Sequence, residues 1–307
     1  MQRRDFLAGS AMSLGLAALQ DPPQGQPQTP KSPTPPKAGA FQLKYAPHFQ
    51  MFAHHAKDLL DQLQFAADEG FRAWEDNGMA GRPPEEQEKI AAKMSQCGLE
   101  MGVFVAHAEW ENPSFTSGRK ELADKVVADM QKAVEVAKRV NAKWCTVVPG
   151  LVDHRLDYGY QIANCVELLK RCAAICEPAK LTMVLEPLNF RDHPRLFLTK
   201  IAQGFEICRA VGSPACKVLD DLYHQQVTEG NLIPNLDRAW SEIAYFQIGD
   251  NPGRCEPGTG EVNFRNIFRH LHSKGYAGIL GMEHGKATDS KEGERKLIEA
   301  YRAADTF

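Results

Sequence analysis

From residue 41 onward, short apolar runs alternate with longer segments in which apolar positions recur every three or four residues. The runs at 41–45, 71–75, 100–106, 144–148, 182–186, 217–221, 244–248 and 278–283 have the length of buried strands. Helical spacing follows at 56–69, 84–97, 119–140, 158–176, 198–211, 233–240, 264–274 and 290–304. Gly70, Gly98, Gly212 and Gly275 close helical patterns where a left-handed residue is wanted, each with an apolar run close behind. Eight strand–helix alternations predict an α/β chain with a single-domain (β/α)8 TIM barrel. A doubly wound open sheet would place a glycine-rich phosphate turn after an early strand, and the sequence has none.

The first forty residues break this pattern. Arg3-Arg4-Asp5-Phe6-Leu7 precedes an uncharged, small-residue run over 8–19, which predicts a twin-arginine-type export signal at 1–20. The run is shorter than the roughly 18 apolar residues that span a bilayer. Seven prolines among Gln, Ser, Thr and Lys over 21–40 predict an extended linker, leaving 41–307 for the barrel. The expected partner is the twin-arginine export machinery and the expected location the periplasm, with membrane anchoring if the signal is retained.

Composition adds exclusions. A formal charge of -3 provides no strong field for nucleic acid or an anionic membrane. The eight cysteines lie mostly within helix or strand patterns, without the close spacing of a small stapled domain, so buried reduced thiols are expected.

In a (β/α)8 barrel the chemistry lies at the C-terminal ends of the strands. Those ends carry Glu75-Asp76, His107, Glu186, Asp220-Asp221, Gln247 and Glu283. Carboxylates with an amide oxygen suit a hard divalent cation, Mg2+ or Mn2+, better than Zn2+, which favours His and Cys.

Glu186-Pro187-Leu188-Asn189, Asp221-Leu222-Tyr223-His224-Gln225-Gln226, Gln247-Ile248-Gly249-Asp250-Asn251-Pro252-Gly253-Arg254, Glu256-Pro257-Gly258-Thr259-Gly260-Glu261 and Gly281-Met282-Glu283 together resemble the hydroxypyruvate isomerase family of xylose-isomerase-like barrels. The resemblance implies that Glu186, Asp221, Gln247 and Glu283 bind a divalent metal and that Glu186 and Glu283 also move the proton. It places His224 and Arg254 on the substrate side and Glu256 in a loop closing over the site. His107 is a further candidate for the pocket wall. The implied reaction removes a proton beside a carbonyl and returns one to the neighbouring carbon through an enediolate, with two carboxylates as base and acid.

The substrate implied is a small hydroxy-carbonyl compound, a keto acid or a sugar. Related outcomes are ketose epimerisation and polyol dehydration. A non-catalytic periplasmic sugar-binding barrel is the alternative outside the enzymes. A DNA-repair nuclease would need a His-rich zinc cluster and a basic groove, which Gln247 and the net charge disfavour. No nucleic-acid partner is therefore expected, and monomer and homo-oligomer both remain open. Cys255 and His284-Gly285 depart from the family pattern, and both are expected near the substrate.

Overall fold

The computed structural model describes residues 41–307; the export signal and linker expected over 1–40 lie outside the described residues. In chain order the elements are β1 (Lys44–Ala46), α1 (Leu59–Asp68), β2 (Ala73–Trp74), α2 (Pro84–Cys97), β3 (Glu100–Met101), β4 (Val105–Ala108) and α3 (Lys120–Val140). They continue with β5 (Trp144–Val148), α4 (Tyr158–Cys176), β6 (Thr182–Leu185), α5 (Ile201–Val211), β7 (Cys216–Asp221), α6 (Leu222–Thr228) and α7 (Leu232–Ala239). The last are β8 (Ile243–Gln247), α8 (Phe264–Ser273), β9 (Ile279–Gly281) and α9 (Lys291–Ala304).

Seven strands form one parallel sheet in the order β1-β9-β8-β7-β6-β5-β4, and β2 pairs in parallel with β3. A bridge between His48 and Glu75 joins the end of β1 to the end of β2. On the other side, the Thr146 N–H donates to the Phe104 carbonyl at 2.8 Å, tying β5 to the segment after β3. The strands thus occupy the positions of a (β/α)8 TIM barrel, as the sequence pattern predicts.

Two elements differ from expectation. The third run, expected as one strand, breaks into β3 and β4. At the break a Cβ on Gly102 would strike the Tyr245 hydroxyl, and the Val103 N–H turns to that hydroxyl at 3.4 Å instead of continuing the ladder. Helix α6 was not expected; Asp221 caps it, its Oδ1 accepting the Tyr223 N–H at 2.9 Å. Other ends follow local chemistry: Asp58 and Ser290 cap α1 and α9, while Gly98 (φ 69°) and Gly212 (φ 70°) close α2 and α5 in the left-handed conformation.

Besides a small cluster of Val148, Leu151, Leu188 and Leu196, the core has two main apolar layers. A large cluster packs the helices onto the barrel's outer wall. A small one, Ala46, Ala73, Val103, Val184, Leu219, Tyr245 and Ile279, fills the lumen. Because strand side chains alternate, the residue two positions beyond each lumen residue points inward one layer higher. Those residues are His48, Glu75, Val105, Glu186, Asp221, Gln247 and Gly281.

All eight cysteines are free thiols, and six of them are buried. Among the described residues no helix is long and apolar enough to cross a membrane.

Candidate active site

Above the apolar lumen lies a layer dense in carboxylates. Asp221 and Gln247 are cross-strand neighbours on β7 and β8, and Gln247 neighbours Gly281 on β9. Glu186 follows β6 and Glu283 follows β9. Glu186, Asp221 and Gln247 are almost fully buried, whereas the Glu283 side chain is 26% exposed and forms the open edge.

The charges are tightly linked. Arg254, on the loop after β8, places Nη2 2.7 Å from Asp221 Oδ2 and 2.8 Å from Glu283 Oε2. Its guanidinium also lies over the Tyr223 ring at 4.9 Å. Burial, then the Glu283 and Asp221 charges, hold the Glu186 carboxyl well above its ordinary range. Burial also pushes Glu283 up to about 7, opposed by Arg254 and reinforced by Asp221. Asn77 fixes the other oxygen of Glu283, its Nδ2 donating to Oε1 at 2.8 Å.

His224 is buried beside these groups, with Nε2 3.5 Å from Asp221 Oδ2 and 3.9 Å from Glu186 Oε1. Glu186, Asp221 and His224 can each bring one ligand atom within 4.8 Å of the others, so they too could hold a metal. The hydrogen bonds argue for a different use of His224. Asn189 Nδ2 donates to its Nδ1 at 2.7 Å, and the Asn189 amide cannot turn over because its Oδ1 accepts the Arg191 and Asp192 N–H groups. Burial lowers the His224 pKa to about 4, so the ring is neutral and its proton sits on Nε2. Nε2–H, which lacks a partner, is therefore a donor facing the carboxylates rather than a lone pair for a cation.

The donor set fits a cation through another atom. Gln247 Nε2 donates to Glu75 Oε1 at 2.7 Å, while Gln247 Oε1 is buried with no hydrogen-bond partner. An orphaned amide oxygen beside three crowded carboxylates is the arrangement a hard divalent ion satisfies.

The structure brings Glu186, Asp221, Gln247, Glu283, His224 and Arg254 together. It does not bring His107 to them. Its Nδ1 lies 3.0 Å from Asp129 of α3 and its Nε2 3.5 Å from Ser114, so the ring is held between β4 and α3. Glu256 lies on the loop after β8, but its Oε2 accepts the Ala287 N–H at 3.0 Å, fastening that loop to the one after β9. His284 was expected near the substrate; it turns outward, stacking on Tyr301 and reaching its hydroxyl at 2.7 Å. Cys255 is half-buried in the same loop as Arg254.

Asp250, inside the Gln247–Arg254 segment, organises that loop. Its carboxylate accepts the N–H groups of Asn251, Gly258, Gly260 and Val262 at 2.8–3.1 Å. Gly258 takes φ 89°, and a Cβ on Gly260 would strike the Asn251 backbone, which explains both glycines of Gly258-Thr259-Gly260. The sequence pattern offers Glu75 as a strand-end acid and Asn189 within a motif, and does not single out Asn77. Each hydrogen-bonds a residue far along the chain, Asn77 to Glu283, Asn189 to His224 and Glu75 to Gln247.

The fold and this layer of side chains define a xylose-isomerase-like barrel. A family model for the xylose isomerase-like TIM barrel matches residues 63–304, and the chain belongs to that family. A 2-oxo-tetronate isomerase of Cupriavidus necator is 31% identical over 241 residues, covering 76% of this chain and 89% of the relative. A hydroxypyruvate isomerase of Escherichia coli is 34% identical over 140 residues, covering 46% of this chain and 54% of the relative. Among solved structures, a family 2 AP endonuclease from Brucella melitensis shares the fold with TM-score 0.72 at 23% identity, covering 84% of this chain and 98% of that one. The isomerase expectation agrees with the two sequence relatives.

Proposed function

We propose that the protein is a metal-dependent isomerase that interconverts a small 2-hydroxy-carbonyl compound by proton transfer, with Glu186 and Glu283 as the paired acid and base. The observation that carries this reading is the junction of Asp221, Glu283 and Arg254 next to buried Glu186 and the unpartnered Gln247 oxygen. Names of relatives along the chain support the substrate class, a keto acid such as hydroxypyruvate or a 2-oxo-tetronate.

One carboxylate takes the proton from the carbon beside the carbonyl, and the C–H electron pair moves toward the carbonyl oxygen to give an enediolate. The other carboxylate delivers a proton to the adjacent carbon, and the hydroxyl proton passes to the former carbonyl oxygen, so that the old hydroxyl becomes the new carbonyl. Glu283, pushed up to about 7, is suited to accept and return a proton, and burial holds the Glu186 carboxyl above its ordinary range. A divalent cation held by Glu186, Asp221, Gln247 and Glu283 would draw off the negative charge developing on the two substrate oxygens. The Nε2–H of His224 and the Arg254 guanidinium are placed to donate to a substrate oxygen or carboxylate.

The test is solvent deuterium exchange. With Mn2+ or Mg2+, the protein should wash deuterium into the C–H positions of hydroxypyruvate, tartronate semialdehyde or a 2-oxo-tetronate while converting one isomer to the other. A chelator should stop both and added metal restore them. Binding without exchange across these acids and a ketose panel would leave a sugar-binding barrel instead. Export through the twin-arginine route is part of the proposal; replacing Arg3 and Arg4 with Lys should keep a reporter fusion in the cytoplasm.

A further inference from the structure

Glu75 is a buried acidic side chain at the centre of the barrel that the chemistry above does not use. Its Oε1 accepts from Gln247 Nε2 at 2.7 Å and its Oε2 from the Tyr245 hydroxyl at 2.8 Å, while the Val103 N–H points at the Tyr245 oxygen. Two glycines make room for it. A Cβ on Gly281 would strike the Glu75 carboxyl, and one on Gly102 would strike the Tyr245 hydroxyl. Burial first, and then the Glu283 and Asp221 charges, make an ionised carboxyl here costly and raise the Glu75 pKa well above its ordinary value. A group so expensive to bury, with Gly281 of β9 clearing space for it and Gly102 clearing space for its Tyr245 partner, calls for a use.

Resting on the proposed metal site, we infer that Glu75 is a positioning residue that decides which end of the Gln247 amide faces the pocket. The ionised carboxylate only accepts hydrogen bonds, and the 2.7 Å bond from Gln247 Nε2 to Glu75 Oε1 leaves the Gln247 oxygen facing the site. Tyr245 reinforces the arrangement, because its hydroxyl spends its one proton on Glu75 Oε2. With the two-sided amide of Glu75→Gln this order reverses. The Tyr245 proton claims the new amide oxygen, the new NH2 group then faces Gln247, and Gln247 turns over to offer its own NH2 group to the pocket.

The experiment compares Mn2+ affinity by calorimetry in the wild type, Glu75→Gln, Tyr245→Phe and the double variant, with melting curves as folding controls. Glu75→Gln is expected to lose Mn2+ affinity by about 10- to 100-fold, the range for groups that orient a metal ligand. Tyr245→Phe should lose far less. The double variant, freed of the tyrosine proton, should regain most of the loss. Wild-type affinity in Glu75→Gln, or a double variant no better than Glu75→Gln, overturns the inference.

A second readout is independent of metal: hydrogen exchange of the Gln247 side-chain NH2 group by NMR, assigned by its loss in Gln247→Leu. It should be slow in the wild type and fast in Glu75→Gln, and equal rates overturn the inference. A wild type that binds no Mn2+ defeats the metal reading, and the NMR comparison alone then decides the positioning role.

Discussion

The Arg254 guanidinium lies 2.7 Å from the Asp221 carboxylate, and the same nitrogen reaches Glu283. One positive side chain thus holds together two acids that otherwise repel. Charged hydrogen bonds of this kind contribute about 1.5–3 kcal/mol each when well enclosed, and the 29% exposure of Arg254 reduces that. Arg254→Met should therefore lower the urea stability of metal-free protein. Because a divalent cation neutralises the same acids, Mn2+ should raise the melting temperature more in Arg254→Met than in the wild type. Equal metal-induced shifts would separate Arg254 from the cation site.

Gly281 has a steric task that gives a paired prediction. Gly281→Ala puts a methyl group against the Glu75 carboxyl, an overpacking that costs about 1–3 kcal/mol. Adding Glu75→Ala should recover part of that stability. Thermal melts of the two single variants and the double check this, and strict additivity would contradict it.

The Asp250 carboxylate gathers four backbone N–H groups of the loop that carries Arg254. Asp250→Ala leaves those donors without an acceptor, at about 1–3 kcal/mol for each one that stays buried. The loop should open before the barrel does. Limited proteolysis is expected to cut between 250 and 262, with turnover falling at least tenfold while the variant still melts cooperatively. Cleavage at other sites first would argue against this role.

Asp220 neighbours Asp221 but points to the opposite face of β7, where both its oxygens are buried without partners. Burial, then Asp221, raises its pKa well above the ordinary value. An acid with a raised folded pKa costs stability as pH climbs from its unfolded value near about 3.9 toward its folded one. Asp220→Asn should then be more stable than the wild type at neutral pH, and the advantage should vanish below about pH 4, where both side chains are neutral. A constant difference across pH would show that charge is not the cause.

Much of this site was readable because strands alternate. Glu186, Asp221 and Gln247 each stand two residues beyond an apolar lumen residue, Val184, Leu219 and Tyr245, and a period of two can be counted along the sequence. The helices at 84–97 and 158–176 were equally legible, with apolar spacing sustained over several turns. The same alternation turns His284 outward, since it follows inward-facing Glu283. The break between β3 and β4 could not be read locally. Its cause is the Tyr245 hydroxyl, which comes from a strand on the other side of the lumen. Glu75 stood out only as one more strand-end acid; its bonds to Gln247 and Tyr245, like those of Asn77 to Glu283 and Asn189 to His224, join residues far apart in the chain that no local pattern encodes.

The two-residue interval between lumen and site has a consequence for insertions and deletions. Adding or removing one residue between Val184 and Glu186, or between Tyr245 and Gln247, would swing a candidate ligand from the pocket to the helical shell while leaving composition almost unchanged. Length changes in the loops beyond the strand tips carry no such penalty of phase. Descendants of this barrel can therefore remodel what lies above the carboxylates far more freely than the spacing beneath them.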